Sequence, residues 1–164
     1  MNNQEIMKIF EDTAYVRMGG TAEELRSAEY LKTYCEKLGE TWLESFQVQM
    51  ATMQEAVFEA DGVSIPCKGY FNCGSGEVEA PFYYLRATDP YSLKQCKGKI
   101  VLVDSYMGYW IYQDLLENGA VGFVTYDGNA NYADRDIDQR ELRSFVSNGN
   151  KIPGVNINAK DAIG

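Results

Sequence analysis

The run Gly98-Lys-Ile-Val-Leu-Val103, followed after a helical pattern by Val121-Gly-Phe-Val-Thr-Tyr126, restricts the fold more than any other feature of this chain. Both are nearly continuous apolar segments of strand length, the pattern of strands covered on both faces. Between them, residues 109–118 put Ile111, Tyr112, Leu115 and Leu116 on one side of a helical wheel, and Asn118-Gly119 ends that helix. A strand-helix-strand unit of this kind makes its two strands parallel and its connection right-handed. Ile152-Pro-Gly-Val-Asn-Ile157 returns as a further strand. The chain is therefore predicted to be mixed α/β.

Upstream, residues 4–18 gather Ile6, Ile9, Phe10, Thr13 and Val16 on one side of a helix that Gly19-Gly20 would end. Thr21-Ala-Glu-Glu24 is a capping box, in which the Thr21 hydroxyl and the Glu24 carboxylate serve the first-turn N–H groups. It opens a second helix with Leu25, Ala28, Leu31, Cys35 and Leu38 as its buried stripe and Gly39 as a left-handed stop. From Thr41 to Met50 the period becomes two, which predicts a strand. Asp61-Gly62 between residues 55–60 and 63–67 is a hairpin signal. Strands are expected at 77–85, with Pro81 at an edge or bulge, and at 99–104. Residues 127–151 lose apolar periodicity and read as a long surface excursion with one helical turn at 138–145. Residues 158–163 look like the start of a helix, from which a truncated natural chain is expected.

Composition narrows the function. Twenty-four acidic against 15 basic residues give a net charge of -9, which disfavours nucleic-acid and membrane-surface partners. The chain contains no histidine, so no Ser-His or Cys-His pair and no imidazole zinc ligand can form. Cys35, Cys67, Cys73 and Cys96 are unevenly spaced without a C-x-x-C pair and read as reduced thiols. The polar N-terminus is unlike a secretory signal, and no stretch reaches the roughly 20 apolar residues of a membrane span, so a cytoplasmic protein is expected.

Candidate chemistry is sparse. Asp134, Asp136 and Asp138 alternate as if around a hard cation, but Gln139 and Phe145 stand where a calcium loop needs Gly and Glu, and a solvated acidic loop is the better reading. Phe71-Asn-Cys-Gly-Ser-Gly76 sets a thiol and a hydroxyl beside glycines, yet Cys73 has no imidazole to activate it, and a turn between strands is expected. Tyr106, Tyr109, Trp110 and Tyr112 could form a stacking surface, although packing between helix and sheet with hydroxyls at the rim is preferred. On these grounds the chain reads as a non-catalytic α/β protein.

Two stretches carry a resemblance. Arg17-Met-Gly-Gly-Thr-Ala-Glu-Glu-Leu-Arg-Ser-Ala-Glu-Tyr-Leu31, with Leu38-Gly39 and the segment Glu44-Ser-Phe-Gln-Val48, resembles the amino-terminal region of di-zinc aminopeptidases related to bacterial leucyl aminopeptidases and glutamate carboxypeptidase. The order GKIVLV, GAVGFVTY, IPGVNI is similar to the protease-associated domain that many of these enzymes carry as an insertion. The resemblance implies residues 1–50 as a helix-helix-strand arm of the peptidase domain, and 51–164 as a protease-associated domain with a mixed sheet or open barrel and short flanking helices. It further implies a chain without catalytic residues or metal ligands of its own, whose parent would hold two zinc ions in a catalytic domain beyond these residues.

The protease-associated domain would then cover or shape the substrate cleft and meet a peptide through the 127–151 region. By position, Tyr126, Tyr132, Arg135, Arg140 and Arg143 are the cleft candidates. Expected partners are the missing catalytic domain and a peptide substrate, with self-association through the apolar face of the N-terminal helices. A free-standing protein- or peptide-binding module is the alternative, and a hydrolase using Cys73 is a third.

Overall fold

A computed structural model describes residues 2–48, 55–104, 106–127, 137–142 and 152–163. The chain forms two compact units, Met1–Met50 and Ala51–Gly164.

In the first unit, helix α1 (Asn3–Asp12) begins at Asn2, whose side chain accepts from the Glu5 N–H at 2.9 Å while the Glu5 carboxylate accepts from the Asn2 N–H at 2.8 Å. The expected continuation to residue 18 does not form. The Thr13 hydroxyl donates to the Ile9 carbonyl at 2.7 Å and the Arg17 guanidinium donates to the Thr13 carbonyl, so side chains take acceptors that a longer helix would need. Helix α2 (Ala22–Cys35) starts as predicted at Thr21, whose hydroxyl accepts from the Glu24 N–H at 3.3 Å, but the Glu24 carboxylate reaches back to the Gly20 N–H. Gly39 is not left-handed; the N–H groups of Leu38 and Gly39 both donate to the Cys35 carbonyl and tie off the helix without a positive φ.

The expected buried stripe of α2 is open to solvent, with Leu25 54%, Leu31 41% and Leu38 88% exposed. Only Thr13 and Ser27 are buried among residues 2–48, because two helices and an extended tail cannot enclose an apolar face. Residues 41–48 form no strand either: Trp42, Phe46 and Val48 are exposed, and alternation without a neighbouring ladder is only an extended chain. The Tyr30 phenol donates to Asp12 and so ties α2 to α1.

In the second unit, strands β1 (Glu59–Ala60) and β2 (Val63–Ser64) make the predicted hairpin, with Asp61 at φ 50° and Gly62 at φ 76°. Both central residues of such a turn need positive φ, which is why Asp-Gly occupies it. The main sheet has the order β3-β7-β6-β5-β4, from β3 (Cys67–Gly69), β4 (Phe82–Leu85), β5 (Ile100–Val103), β6 (Gly122–Asp127) and β7 (Gly154–Asn158). Strands β4 to β7 are parallel and β3 is antiparallel to β7, so the sheet is mixed and open. Pro81 precedes the edge strand β4, and its carbonyl accepts from the Ile100 N–H at 3.0 Å. The strand expected at 77–85 is confined to the part that pairs with β5.

Helices α3 (Pro90–Lys94) and α4 (Tyr109–Glu117) cover one face, where Val101, Val103 and Phe123 meet Leu93, Tyr112 and Leu115. Leu102, Val124 and Ile157 point to the other face, against Phe58 and, at its margin, Ala60, Ile65 and Ala162. Alternate residues of β5 and β6 thus serve opposite cores, as their continuous apolar character requires. Helix α5 (Ala159–Ile163) follows β7, with the Asn158 side chain accepting from the Lys160 N–H at 3.1 Å. Among the described residues no helix is long and apolar enough to cross a membrane.

Candidate functional site

The carboxyl ends of β6 and β7 carry polar residues where the sheet pattern calls for apolar ones. Thr125 and Asn156 are cross-strand partners on the face that holds Phe123, and both are fully buried. The Thr125 hydroxyl donates to Asn156 Oδ1 at 2.8 Å, so the Tyr70 hydroxyl, 2.8 Å from Thr125 Oγ1, is the donor in their shared bond. Asn156 Nδ2 donates to Asp127 Oδ2 and, at 3.1 Å, to the Asp138 carbonyl. The Asp138 N–H donates to Asp127 Oδ2 at 2.6 Å.

Arg140 completes this network. Its guanidinium pairs with Asp127 Oδ1, and its other amino group lies 3.3 Å from Thr125 Oγ1 and 3.4 Å from the Tyr70 hydroxyl. The Asp127 side chain is 3% exposed and that of Arg140 17%, so this is a buried ion pair whose remaining lone pairs and protons are satisfied by hydrogen bonds. Burial, partly offset by Arg140 and Thr125, pushes the Tyr70 phenol up and keeps it a hydrogen-bond donor. Residues 140–142 also lie beside Phe71, whose N–H donates to the Arg140 carbonyl and whose carbonyl accepts from the Leu142 N–H, each at 2.9 Å. Over 138–142 extended pairing stands where the helical turn of 138–145 was expected, because Asp127 and Phe71 take backbone groups that a turn would use; residues 143–145 lie outside the described residues.

Of the five cleft candidates, Arg140 is the guanidinium of this network and Tyr126 lies on the opposite sheet face, where its phenol donates to Asp104. That bond to Asp104, with burial second, raises the Tyr126 phenol to about 12. Arg140 and Tyr126 meet only through the Tyr126 carbonyl, 3.4 Å from the guanidinium. Tyr132, Arg135 and Arg143 lie outside the described residues, as do Asp134 and Asp136.

The other candidates resolve into structure. Cys73 sits in a turn with Asn72 at φ 62°, and its thiol donates to the Tyr70 and Gly74 carbonyls at 3.0 and 3.2 Å, the bonding of a neutral thiol. None of the four cysteines is in a disulfide. Of the aromatic cluster only Tyr112 packs inside, where its hydroxyl accepts from the Ile152 N–H at 3.1 Å; Tyr106, Tyr109 and Trp110 are exposed. The preferred packing of all four rings between helix and sheet is thus corrected, since α4 has one inward face and Tyr109 and Trp110 fall outside it.

A zinc ion needs three or four nitrogen, sulfur or oxygen donors converging on a point. The chain has no histidine, and among the described residues no three Cys, Asp or Glu side chains come together. Asp127 is committed to Arg140 and Asn156, and Asp104 to Tyr126. The donors described here do not fit such an ion.

The fold has counterparts among solved structures. It is similar to a zinc aminopeptidase from Bacillus subtilis, with a TM-score of 0.58 and 20% identity over 98% of this chain and 39% of that one. An aminopeptidase from Aneurinibacillus sp. strain AM-1 gives a TM-score of 0.57 and 16% identity over 99% of this chain and 40% of that one. A peptidase M28 precursor from Shewanella amazonensis SB2B gives 0.60 and 14%, over 97% and 41%. At these identities the likeness is one of fold, and the chain spans about two fifths of the length of the structures it matches. No protein-family model and no curated protein matches the sequence.

Proposed function

We propose that this chain is the non-catalytic portion of a zinc-aminopeptidase-like protein: an N-terminal arm from the peptidase domain, followed by a protease-associated domain that covers or shapes the substrate cleft. The observation that carries this reading is the extent of the fold likeness, which takes in at least 97% of this chain but only about two fifths of each aminopeptidase. On this reading the zinc ions would be held by residues outside this sequence. The stretch 127–151, with Tyr132, Arg135, Arg140 and Arg143, then faces a peptide, the ion pair of Arg140 with Asp127 holding residues 138–140 against the sheet, while Tyr126, whose phenol lies on the opposite sheet face, takes no part. The exposed Leu25, Leu31, Leu38, Trp42 and Phe46 of the first unit pack on the catalytic domain, and in its absence on a second copy of the arm.

Aminopeptidase activity and zinc content, measured on the 164-residue chain beside the product of the whole reading frame that encodes it, test the proposal. Activity and bound zinc should belong to the longer product alone. Cleavage or stoichiometric zinc in the 164-residue chain, or a reading frame without a downstream peptidase, would overturn it.

A further inference from the structure

Strand β4 is an outer strand of the main sheet, paired on one side only among the described residues. The Pro81 carbonyl accepts from the Ile100 N–H, so the backbone groups of Pro81, Tyr83 and Leu85 turn towards β5. Alternate residues of a strand bond to opposite sides, which leaves the N–H and C=O of Phe82 and Tyr84 pointing outward. Neither residue's groups meet a partner among the described residues. Edges are ordinarily guarded by charged side chains, bulges or a proline on the open side. Here the strand is Phe-Tyr-Tyr-Leu in regular register and Pro81 faces inward, so the open side carries none of these guards. The exposed Phe82 and Tyr84 rings stand on the sheet face that holds Leu102, with Phe82 6.1 Å from Phe58 between ring centres. Exposed Glu77 and Glu79 precede the strand and exposed Arg86 follows it.

We propose that this edge takes an extended segment of another protein as an added strand, antiparallel to β4. Backbone groups in a row select an extended backbone, and the antiparallel ladder is the more stable one. Residues opposite Phe82 and Tyr84 share their sheet face, so the segment is apolar at those two alternate positions. Its direction then sets its charges: an acidic residue beside Arg86 at its start and basic residues beside Glu79 and Glu77 at its end. A second copy of this chain suits the edge less well, because each copy carries a net charge of -9 and the two repel. Neither zinc nor a catalytic domain is required, so the site stands apart from the function proposed above.

Amide-resolved NMR of the 164-residue chain with the peptide acetyl-Glu-Thr-Val-Thr-Val-Thr-Lys-Lys-amide tests it. The two valines lie opposite Tyr84 and Phe82, and for so few bonds the expected Kd is on the order of 0.1–1 mM. At saturation, hydrogen exchange of the Phe82 and Tyr84 amides should slow at least about tenfold, while that of Tyr83, already turned to β5, stays as it was. A peptide methylated on both valine nitrogens loses its donors to β4 and should bind at least about tenfold more weakly. Methylation of the middle threonine nitrogen, which points away from β4, should leave binding unchanged. Glu79→Lys, an exposed change, should weaken binding about threefold. Unaltered exchange at Phe82 and Tyr84 with about 5 mM peptide would overturn the proposal, as would equal binding of the valine-methylated peptide or undiminished binding to Glu79→Lys. So would protection of those two amides that grows with chain concentration in the absence of peptide, since a second copy would then be the occupant.

Discussion

The ring of Phe123 lies against Gly154, its partner in the adjacent strand, so closely that a methyl group built at residue 154 would meet the ring at 2.0 Å. Phe123 has no room to withdraw. It stands edge-on to Tyr70 and Tyr112, with ring centres 5.0 and 6.0 Å away. Gly154 has no positive φ, so space alone selects glycine there. We expect Gly154→Ala to lower stability by about 1–3 kcal/mol, and Phe123→Leu in the same chain to recover part of that loss. Urea midpoints of the two single variants and the double variant measure the coupling. An alanine variant as stable as the parent would show that the contact is not what excludes a side chain.

The pair Asp127–Arg140 makes an asymmetric prediction. Arg140→Met leaves a buried carboxylate without its cation and should cost about 3–5 kcal/mol, whereas adding Asp127→Asn should restore a substantial share. Equal losses in the single and double variants, by denaturant unfolding, would mean that the charges are not coupled.

Helix α3 depends on Asp89, whose carboxylate accepts from the Tyr91 and Ser92 N–H groups at 3.0 and 3.1 Å. Asp89→Ala should destabilise the second unit by about 1 kcal/mol, and Asp89→Asn by less. Hydrogen exchange at Tyr91 and Ser92 reads the loss of the cap directly.

Those three sites also mark how far the sequence could be read. Strands β5, β6 and β7, helix α4 and the Asp61-Gly62 turn were legible because periodicity and turn chemistry there agree with the tertiary structure. Asp89-Pro90 carried an N-cap signal with Pro at the first helical position, and α3 could have been found from it. The network of Tyr70, Thr125, Asp127, Arg140 and Asn156 was only half visible: polar residues at alternate positions of buried strands announce an internal cluster, but not which distant side chains complete it. The N-terminal helices misled because apolar periodicity marks a face without saying that it is buried, and Leu25, Leu31 and Leu38 are exposed.

Alkaline titration separates the Tyr126–Asp104 bond from the rest of the fold. The folded phenol titrates at about 12 against an ordinary value of 10.0, so its contribution is complete below pH 10 and is lost as the pH rises towards 12. Tyr126→Phe should flatten the fall in stability across that interval by about one proton. An unchanged slope in the variant would remove the bond from the account.

The arm should make the chain associate in solution. Light scattering across a concentration series is expected to give a mass that rises above 18.5 kDa, and Leu31→Glu with Trp42→Glu should return it to the monomer value. A monomer at every concentration would count against the exposed arm as a contact surface.

Strand β7 lies between β3 and β6 although more than 80 residues separate it from the first of these, Gly69 pairing with Val155. During synthesis the earlier strand must therefore wait, unladdered, until almost the last residue of the sheet has left the ribosome. Until then β6 offers a nascent chain an open parallel edge, the kind of edge on which a foreign strand can pair.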